Sequence, residues 1–273
     1  MSVVLFVVGI EKTRINILVF RPGAFIKCLL FFNFIFLNSC SQSDIIIVLQ
    51  KGSKTKKMNY LIFDTETTND IESPLCYDLG FSIIDECGKI FFQGSYVVAD
   101  VFLNQELMSS AFFKDKIPQY WEDIRHKKRT LITWQHLKSL VCDIMTQYDI
   151  KYVIAHNVRF DYKSTTTTQR FLTCSKWRYF FPYGTHFIDT LKMAKIVFSK
   201  DEKYIDFCIQ HNFLTQHKKP RYTAEILYKY ISNNINFVES HTGLEDVKIE
   251  TEIFLKCLQH LPFTEGLLWE ASP

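Results

Sequence analysis

Two carboxylates stand side by side at the end of a short apolar run. Residues 59–64 (NYLIFD) predict a buried strand, and the triplet Asp64-Thr65-Glu66 closes it. Successive side chains of a strand point to opposite faces, so Asp64 and Glu66 share one face. Carboxylates this close repel each other unless a cation neutralises them or one of them holds a proton. The pair therefore predicts either a cation site or a polar strand end that leads into a turn.

Two further polar clusters follow later in the chain. The segment 156–161 (HNVRFD) comes directly after the strand-like run 151–155, and open α/β sheets place their sites at the carboxyl ends of strands. His241 and Asp246 frame the segment 241–246 (HTGLED) at the start of the last predicted helix, more than one turn apart. Both clusters also have an ordinary explanation, because Asn, Asp and Glu commonly cap and begin helices.

The elements that position these groups follow from hydrophobic periodicity. Strands are predicted at 59–64, 77–85, 89–99, 151–155 and 187–188, with a tight hairpin at Glu86-Cys87-Gly88. Helices are predicted at 130–148, 190–198, 203–210, 223–231 and 241–261. Three antiparallel strands followed by alternating helices and strands indicate an α/β fold with a mixed sheet.

Composition and charge indicate an ordinary globular protein. The 273 residues are 47% apolar and 22% charged, which excludes a disordered or fibrous chain. The 8 cysteines are scattered without a Cys-x-x-Cys pair, so a secreted disulfide scaffold is disfavoured and the cytoplasm is favoured. Residues 1–57 hold 8 Lys and Arg against 2 Asp and Glu, and residues 58–273 hold 24 against 27. The net charge of +3 thus gives no support to nucleic-acid binding by the main body.

Residues 1–57 differ from the rest of the chain, and three explanations compete. The apolar runs 1–10 and 24–37 are shorter than the roughly 18 residues of a spanning helix, but Leu37-Asn38-Ser39-Cys40 weakly resembles a lipoprotein cleavage site. An appended structural element is the second explanation. The third, which we favour, is that translation begins at Met58, because a strand and a carboxylate pair follow at once. We therefore expect the functional domain at 58–273.

Together the three clusters resemble the motifs of a known enzyme family. Asp64 and Glu66 resemble the first motif of the DEDDh 3′–5′ exonucleases, and Asp161 in HNVRFD resembles the second. His241 and Asp246, with their H-x4-D spacing, resemble the third. This family includes the proofreading subunit of bacterial replicative DNA polymerase, ribonuclease T and oligoribonuclease.

The resemblance covers residues 58–273. The stretches 223–231 and 237–250 are similar more narrowly to the phage and prophage branch of these exonucleases. The family implies a ribonuclease H-like α/β fold, in which a mixed five-stranded sheet of three antiparallel and then parallel strands is flanked by helices.

The resemblance also implies a mechanism. Two Mg²⁺ or Mn²⁺ ions, which hard carboxylate oxygens favour, would lie about 4 Å apart and clamp the scissile phosphate between them. No small-molecule cofactor is expected. Asp64 would bridge both ions, Glu66 and Asp246 would complete the first site, and Asp161 would support the second. His241 would take the proton from the attacking water, so that a nucleoside 5′-monophosphate leaves a DNA 3′ end. The side chains expected to contact the substrate are Thr65, Thr67, Asn157 and Phe160.

Several alternatives stay open. The same catalytic groups could trim RNA 3′ ends, and a non-catalytic module that binds nucleic acid or docks on a polymerase could keep the fold. A membrane lipoprotein of unrelated function is a further alternative, which rests on Cys40 alone. The sequence does not decide between a DNA polymerase partner, a homodimer and a free-standing enzyme. The basic runs 125–129 and 217–221 either contact phosphates or are merely solvated.

Overall fold

The computed structural model describes residues 4–11, 14–20, 34–36, 47–49, 58–173, 179–261 and 267–269. The chain divides into two compact units, Met1–Lys57 and Met58–Pro273. The first unit contains a 4-stranded sheet in the order β2-β1-β4-β3, formed by β1 (Val4–Glu11), β2 (Arg14–Phe20), β3 (Phe34–Phe36) and β4 (Ile47–Leu49).

The hypotheses about this first unit stay predictions. The lipoprotein-like segment 37–40 lies outside the described residues. In the part of the chain that the structure describes, no helix combines the length and the hydropathy that a membrane span requires.

The second unit is built on a seven-stranded mixed sheet in the order β11-β10-β9-β5-β6-β7-β8. Its strands are β5 (Asn59–Thr68), β6 (Leu75–Asp85), β7 (Ile90–Val98), β8 (Thr130–Ile132), β9 (Tyr152–Ala155), β10 (His186–Asp189) and β11 (Leu268–Trp269). Strands β5, β6 and β7 pair antiparallel, whereas β9 and β10 run parallel to β5. This arrangement confirms the predicted α/β fold, with seven strands in place of the five expected.

Helices cover both faces of this sheet. They are α1 (Ala99–Phe102), α2 (Gln105–Met108), α3 (Ile117–Arg125), α4 (Trp134–Gln147), α5 (Val158–Thr173), α6 (Thr190–Phe198), α7 (Glu202–Gln210), α8 (Ala224–Ile231) and α9 (Gly243–His260). Leu61 and Phe63 of β5 belong to the core that includes residues of α4 and α5. Tyr60 and Ile62 belong to the core that includes residues of α6 and α9. Burial on both faces explains why the central strands read as nearly continuous apolar runs.

Several predicted element bounds differ from the structure, and two of them concern the sheet. The helix expected at 130–148 begins only at Trp134, because Thr130–Ile132 pairs in parallel with β7 and Thr133 caps the helix through the backbone N–H of His136. Strand β5, which was predicted to end at residue 64, continues to Thr68, since it stays paired with β6 along this length.

Helix α5 packs on the sheet through hydroxyl groups. The run of four threonines in this helix is helical although β-branched residues are poor helix formers. Ser164, Thr165 and Thr168 are buried, and the hydroxyl of Thr168 donates to the Ser164 carbonyl at 2.7 Å. The backbone N–H of Cys76 on β6 donates to the same hydroxyl at 2.8 Å. Tertiary hydrogen bonds therefore offset the low helix propensity of this segment.

Helix α9 touches strand β6 backbone to backbone. A Cβ atom added to Gly80 would lie 2.2 Å from both Gly243 C and Leu244 N, and one added to Gly243 would lie 2.6 Å from Gly80 N. No side chain fits at that distance, so glycine at both positions allows the N-terminal end of α9 to rest directly on the sheet.

Candidate active site

Three carboxylates, two from β5 and one from α9, lie close together. The nearest carboxylate oxygens of Asp64, Glu66 and Asp246 all lie within 4.8 Å of one another. Asp64 and Glu66 stand on one face of β5, and Asp246 lies in the first turn of α9. Opposite oxygen ligands of Mg²⁺ lie about 4 Å apart, so this spacing fits a small divalent cation. The structure thus brings the first and third predicted motifs together.

Asp161 joins this group from the first turn of α5 and is only 2% exposed. Its Oδ1 accepts hydrogen bonds from the backbone N–H of Thr65 at 3.1 Å and from the Thr65 hydroxyl at 2.8 Å. The same hydroxyl lies 2.8 Å from the Ser164 hydroxyl. Thr65 is buried and its hydroxyl positions Asp161, and its predicted contact with the substrate stays a prediction.

Burial is the main cause that raises the pKa values of these carboxylates, and neighbouring negative charges add to it. Burial, reinforced by Asp246, raises the pKa of Glu66 to about 9. Burial, reinforced by Glu239, raises the pKa of Asp246 to about 8. Burial also raises the pKa of Asp161 to about 7, although its hydrogen bonds with Thr65 oppose the rise. A bound cation would relieve this cost, which is the behaviour expected of metal ligands.

Two further glutamates belong to the cluster and were not predicted. Glu250 is 3% exposed, lies one helical turn after Asp246 on α9, and its Oε2 has no hydrogen-bond partner in the described part of the chain. Burial and then the charge of Asp161 raise the pKa of Glu250 well above its usual range. Burial also raises the pKa of Glu239 to about 7. The i, i+4 spacing from Asp246 could have indicated Glu250, whereas no local pattern singles out Glu239.

His241 lies at the margin of the carboxylate cluster. It precedes α9 and does not begin it as predicted, since the helix starts at Gly243 and His241 has a positive φ of 50°. Its ring stacks on Phe113 with centroids 4.3 Å apart and planes within 9°. Its Nδ1 lies 3.9 Å from a carboxylate oxygen of Glu239. Partial burial and the nearby Lys116 lower the pKa of His241, so the imidazole is neutral at neutral pH and can accept a proton.

A buried ion network fixes the start of α9. One oxygen of Asp78 on β6 accepts from the Tyr120 hydroxyl at 2.7 Å, the Gly243 N–H at 3.0 Å and the Arg129 guanidinium at 3.0 Å. Arg129 also donates to Glu245 in the first turn of α9 at 3.0 Å. Arg129, which belongs to the basic run 125–129, is therefore buried and structural, and its guanidinium is not available to a phosphate.

The other predicted substrate contacts lie on β5 or at the start of α5. Thr67 and Phe160 are half-buried, and Asn157 is exposed with a positive φ of 65°. The Asn157 N–H donates to Asp189 at 3.0 Å, and the same oxygen of Asp189 caps α6 through Leu191. The substrate contacts of Thr67, Asn157 and Phe160 stay predictions.

No protein-family model matches this chain, and no curated protein does. Solved structures show a distant similarity to exonucleases. Exonuclease X in complex with 5′ overhanging duplex DNA is 16% identical over 77% of this chain and 96% of its own, with a TM-score of 0.43. Exonuclease I from Methylocaldum szegediense is 16% identical over 75% of this chain, with a TM-score of 0.48. Exonuclease I from E. coli in complex with an oligonucleotide is 12% identical over 76% of this chain, with a TM-score of 0.46.

This chain spans only 41% of either exonuclease I.

Proposed function

We propose that residues 58–273 form a metal-dependent 3′–5′ exonuclease. It releases nucleoside 5′-monophosphates from single-stranded or mismatched 3′ ends of DNA. The observation that carries this proposal is the convergence of Asp64, Glu66, Asp161 and Asp246 on one buried site, with the neutral His241 at its margin. Oxygen ligands beside a proton acceptor suit the hydrolysis of a phosphodiester.

The donor set fits Mg²⁺ or Mn²⁺ better than softer metals, because every ligand is a carboxylate oxygen. Asp64, Glu66 and Asp246 would hold one ion. Asp64 and Asp161 would hold a second, since Asp161 is the charge that acts most strongly on Asp64. Two ions would activate the attacking water and stabilise the leaving 3′-oxygen. Thr65 keeps the Asp161 carboxylate turned towards β5, so its two hydrogen bonds preorganise the second site.

His241 would accept the proton of the attacking water. Its stacking on Phe113 fixes the plane of the ring, and its lowered pKa leaves the imidazole ready to act as a base. Glu239 near Nδ1 would stabilise the imidazolium that forms when the proton is taken up.

The test uses the full chain with Mg²⁺ or Mn²⁺ and three 5′-labelled substrates: single-stranded DNA, duplex DNA with a mismatched 3′ end, and RNA. We expect stepwise shortening of DNA from the 3′ end, which Asp64→Asn and Asp246→Asn abolish while the proteins stay folded. Glu252→Gln is the matched control, because Glu252 is exposed on the same helix as Asp246.

Full activity in either aspartate variant would refute the site. Shortening confined to RNA would keep the chemistry and move the substrate from DNA to RNA. Preference for the mismatched end would support a proofreading role beside a polymerase.

A further inference from the structure

A cavity of about 880 Å³ lies along the outer side of α5. It is bounded by Asn69, which follows β5 directly, by Glu72 and Ser73 in the next loop, and by Trp269. Its long wall is the face of α5 that points away from the sheet. Asp161 lies on the inner side of the same helix, so the cavity and the carboxylate site share α5 and the end of β5.

Three basic side chains of α5 line this cavity on one face of the helix. They are Arg159, Lys163 and Arg170. At 100° and 1.5 Å per residue, positions 159 and 170 lie about 20° apart around the helix and about 16 Å apart along it. Lys163 pairs with Glu72 at 3.1 Å. Arg159 and Arg170 are exposed, and neither forms an ion pair with a residue that the structure describes. Each end of this basic stripe therefore carries a guanidinium that makes no ion pair within the described part of the chain.

Aromatic side chains line the same cavity. Phe171, next to Arg170, is 55% exposed. Tyr162 and Trp269 pack edge to face with ring centroids 5.1 Å apart. Guanidinium groups that alternate with accessible aromatic rings are the pattern that binds single-stranded nucleic acid, because cations contact phosphates while rings stack on bases. A peptide made only of acidic residues would match the charges but has no ring or apolar group for the exposed Phe171.

We propose that this cavity binds the single strand upstream of the 3′ terminus while the terminal nucleotide occupies the carboxylate site. The proposal rests on the proposed exonuclease function and adds a substrate-binding surface to it. Arg159 and Arg170 contact phosphates, and the ring of Phe171 stacks on a base. At about 3.4 Å or more per nucleotide, the roughly 16 Å stripe holds several nucleotides.

Two substrates separate this surface from the catalytic centre. The 4-nitrophenyl ester of thymidine 5′-monophosphate reaches only the catalytic centre, whereas a single strand of about twelve nucleotides also reaches the cavity. We expect the double variant Arg159→Gln/Arg170→Gln to raise KM for the strand about tenfold and to leave ester hydrolysis unchanged, since counterion release is lost at two phosphates. Phe171→Ala should raise the same KM about fivefold or more through lost stacking.

The matched control is Lys200→Gln/Lys203→Gln, which removes the same charge from two exposed positions that do not line the cavity. Unchanged ester hydrolysis also confirms that each variant is folded. Strand binding is measured in parallel by fluorescence anisotropy with Ca²⁺ in place of Mg²⁺. There the slope of log Kd against log salt should fall by about 1.4 in the arginine variant, at about 0.7 per phosphate contact.

The outcomes distinguish the two proposals. An unchanged KM and salt slope in the arginine variant, or an equal loss in the lysine control, overturns the cavity proposal. Wild-type protein that hydrolyses neither substrate overturns the exonuclease function. The anisotropy measurement still decides in that case whether the cavity binds the strand.

Discussion

The backbone contact between β6 and α9 makes Gly80→Ala a sensitive probe of the active site. An alanine Cβ at position 80 would lie 2.2 Å from two backbone atoms of α9, whereas ordinary contacts begin at 3.4 Å. Neither backbone can rotate away as a side chain would, so the strand and the helix must separate by about 1 Å. Asp246 moves with the helix, and its carboxylate leaves Asp64 and Glu66. A misplacement of about 1 Å costs on the order of 10²-fold in rate.

The same overpacking costs about 1–3 kcal/mol of stability, which lowers Tm by several degrees without unfolding the protein. We would measure kcat/KM on a short strand together with thermal unfolding. Gly94→Ala in β7 is the matched control, because the three heavy atoms nearest to its Cβ would all belong to the side chain of Tyr96. A Gly80→Ala protein with wild-type kcat/KM would refute the reasoning, because it would show that α9 can shift without disturbing the site.

Three further predictions concern the base, the acidity and the ion network. His241→Ala should lower kcat by about 10²–10⁴ while calorimetry shows unchanged Mn²⁺ binding, as expected of a lost general base and not a lost ligand. With a chelator present to remove divalent metal ions, Tm should fall as pH rises from about 5 to 9. The raised pKa values of Glu66 and Asp246 make the folded state bind more protons than the unfolded state over this range. Mg²⁺ should reverse that trend, and a Tm that rises with pH in chelator would contradict the assigned burial. Arg129→Met should cost about 3–5 kcal/mol in urea unfolding, since it leaves the buried Asp78 charge unpaired; an unchanged midpoint would count against the network.

The sequence predicted the central strands and the three motifs because both rest on local patterns. Residues 59–64 and 151–155 are short apolar runs, and a carboxylate motif stands at or just after the end of each. The third motif lies at the start of a helix whose apolar residues recur at helical spacing. The alternation of strand side chains was enough to place Asp64 and Glu66 on one face, which the structure bears out.

The rest depends on contacts between distant parts of the chain. Arg129 looks like part of a solvated basic run, and only the fold shows that it reaches Asp78 and Glu245. The contact between Gly80 and Gly243 joins two segments that are far apart in the sequence, and no local pattern predicts that they touch. Glu250 lies among buried apolar residues of α9, where a carboxylate is rarely buried unless it is paired.

The hydroxyl-lined side of α5 has a consequence for how a strand would advance. The hydrogen bonds of Thr168 and Ser164 are directional and hold α5 at one rotation and one height on the sheet. Asp161 on the sheet-facing side of α5 and the two arginines on its outer side are thereby kept in a fixed position relative to each other. A strand gripped on the outer side would present its end to the catalytic side in the same alignment after every cleavage, so it would move in steps of one nucleotide.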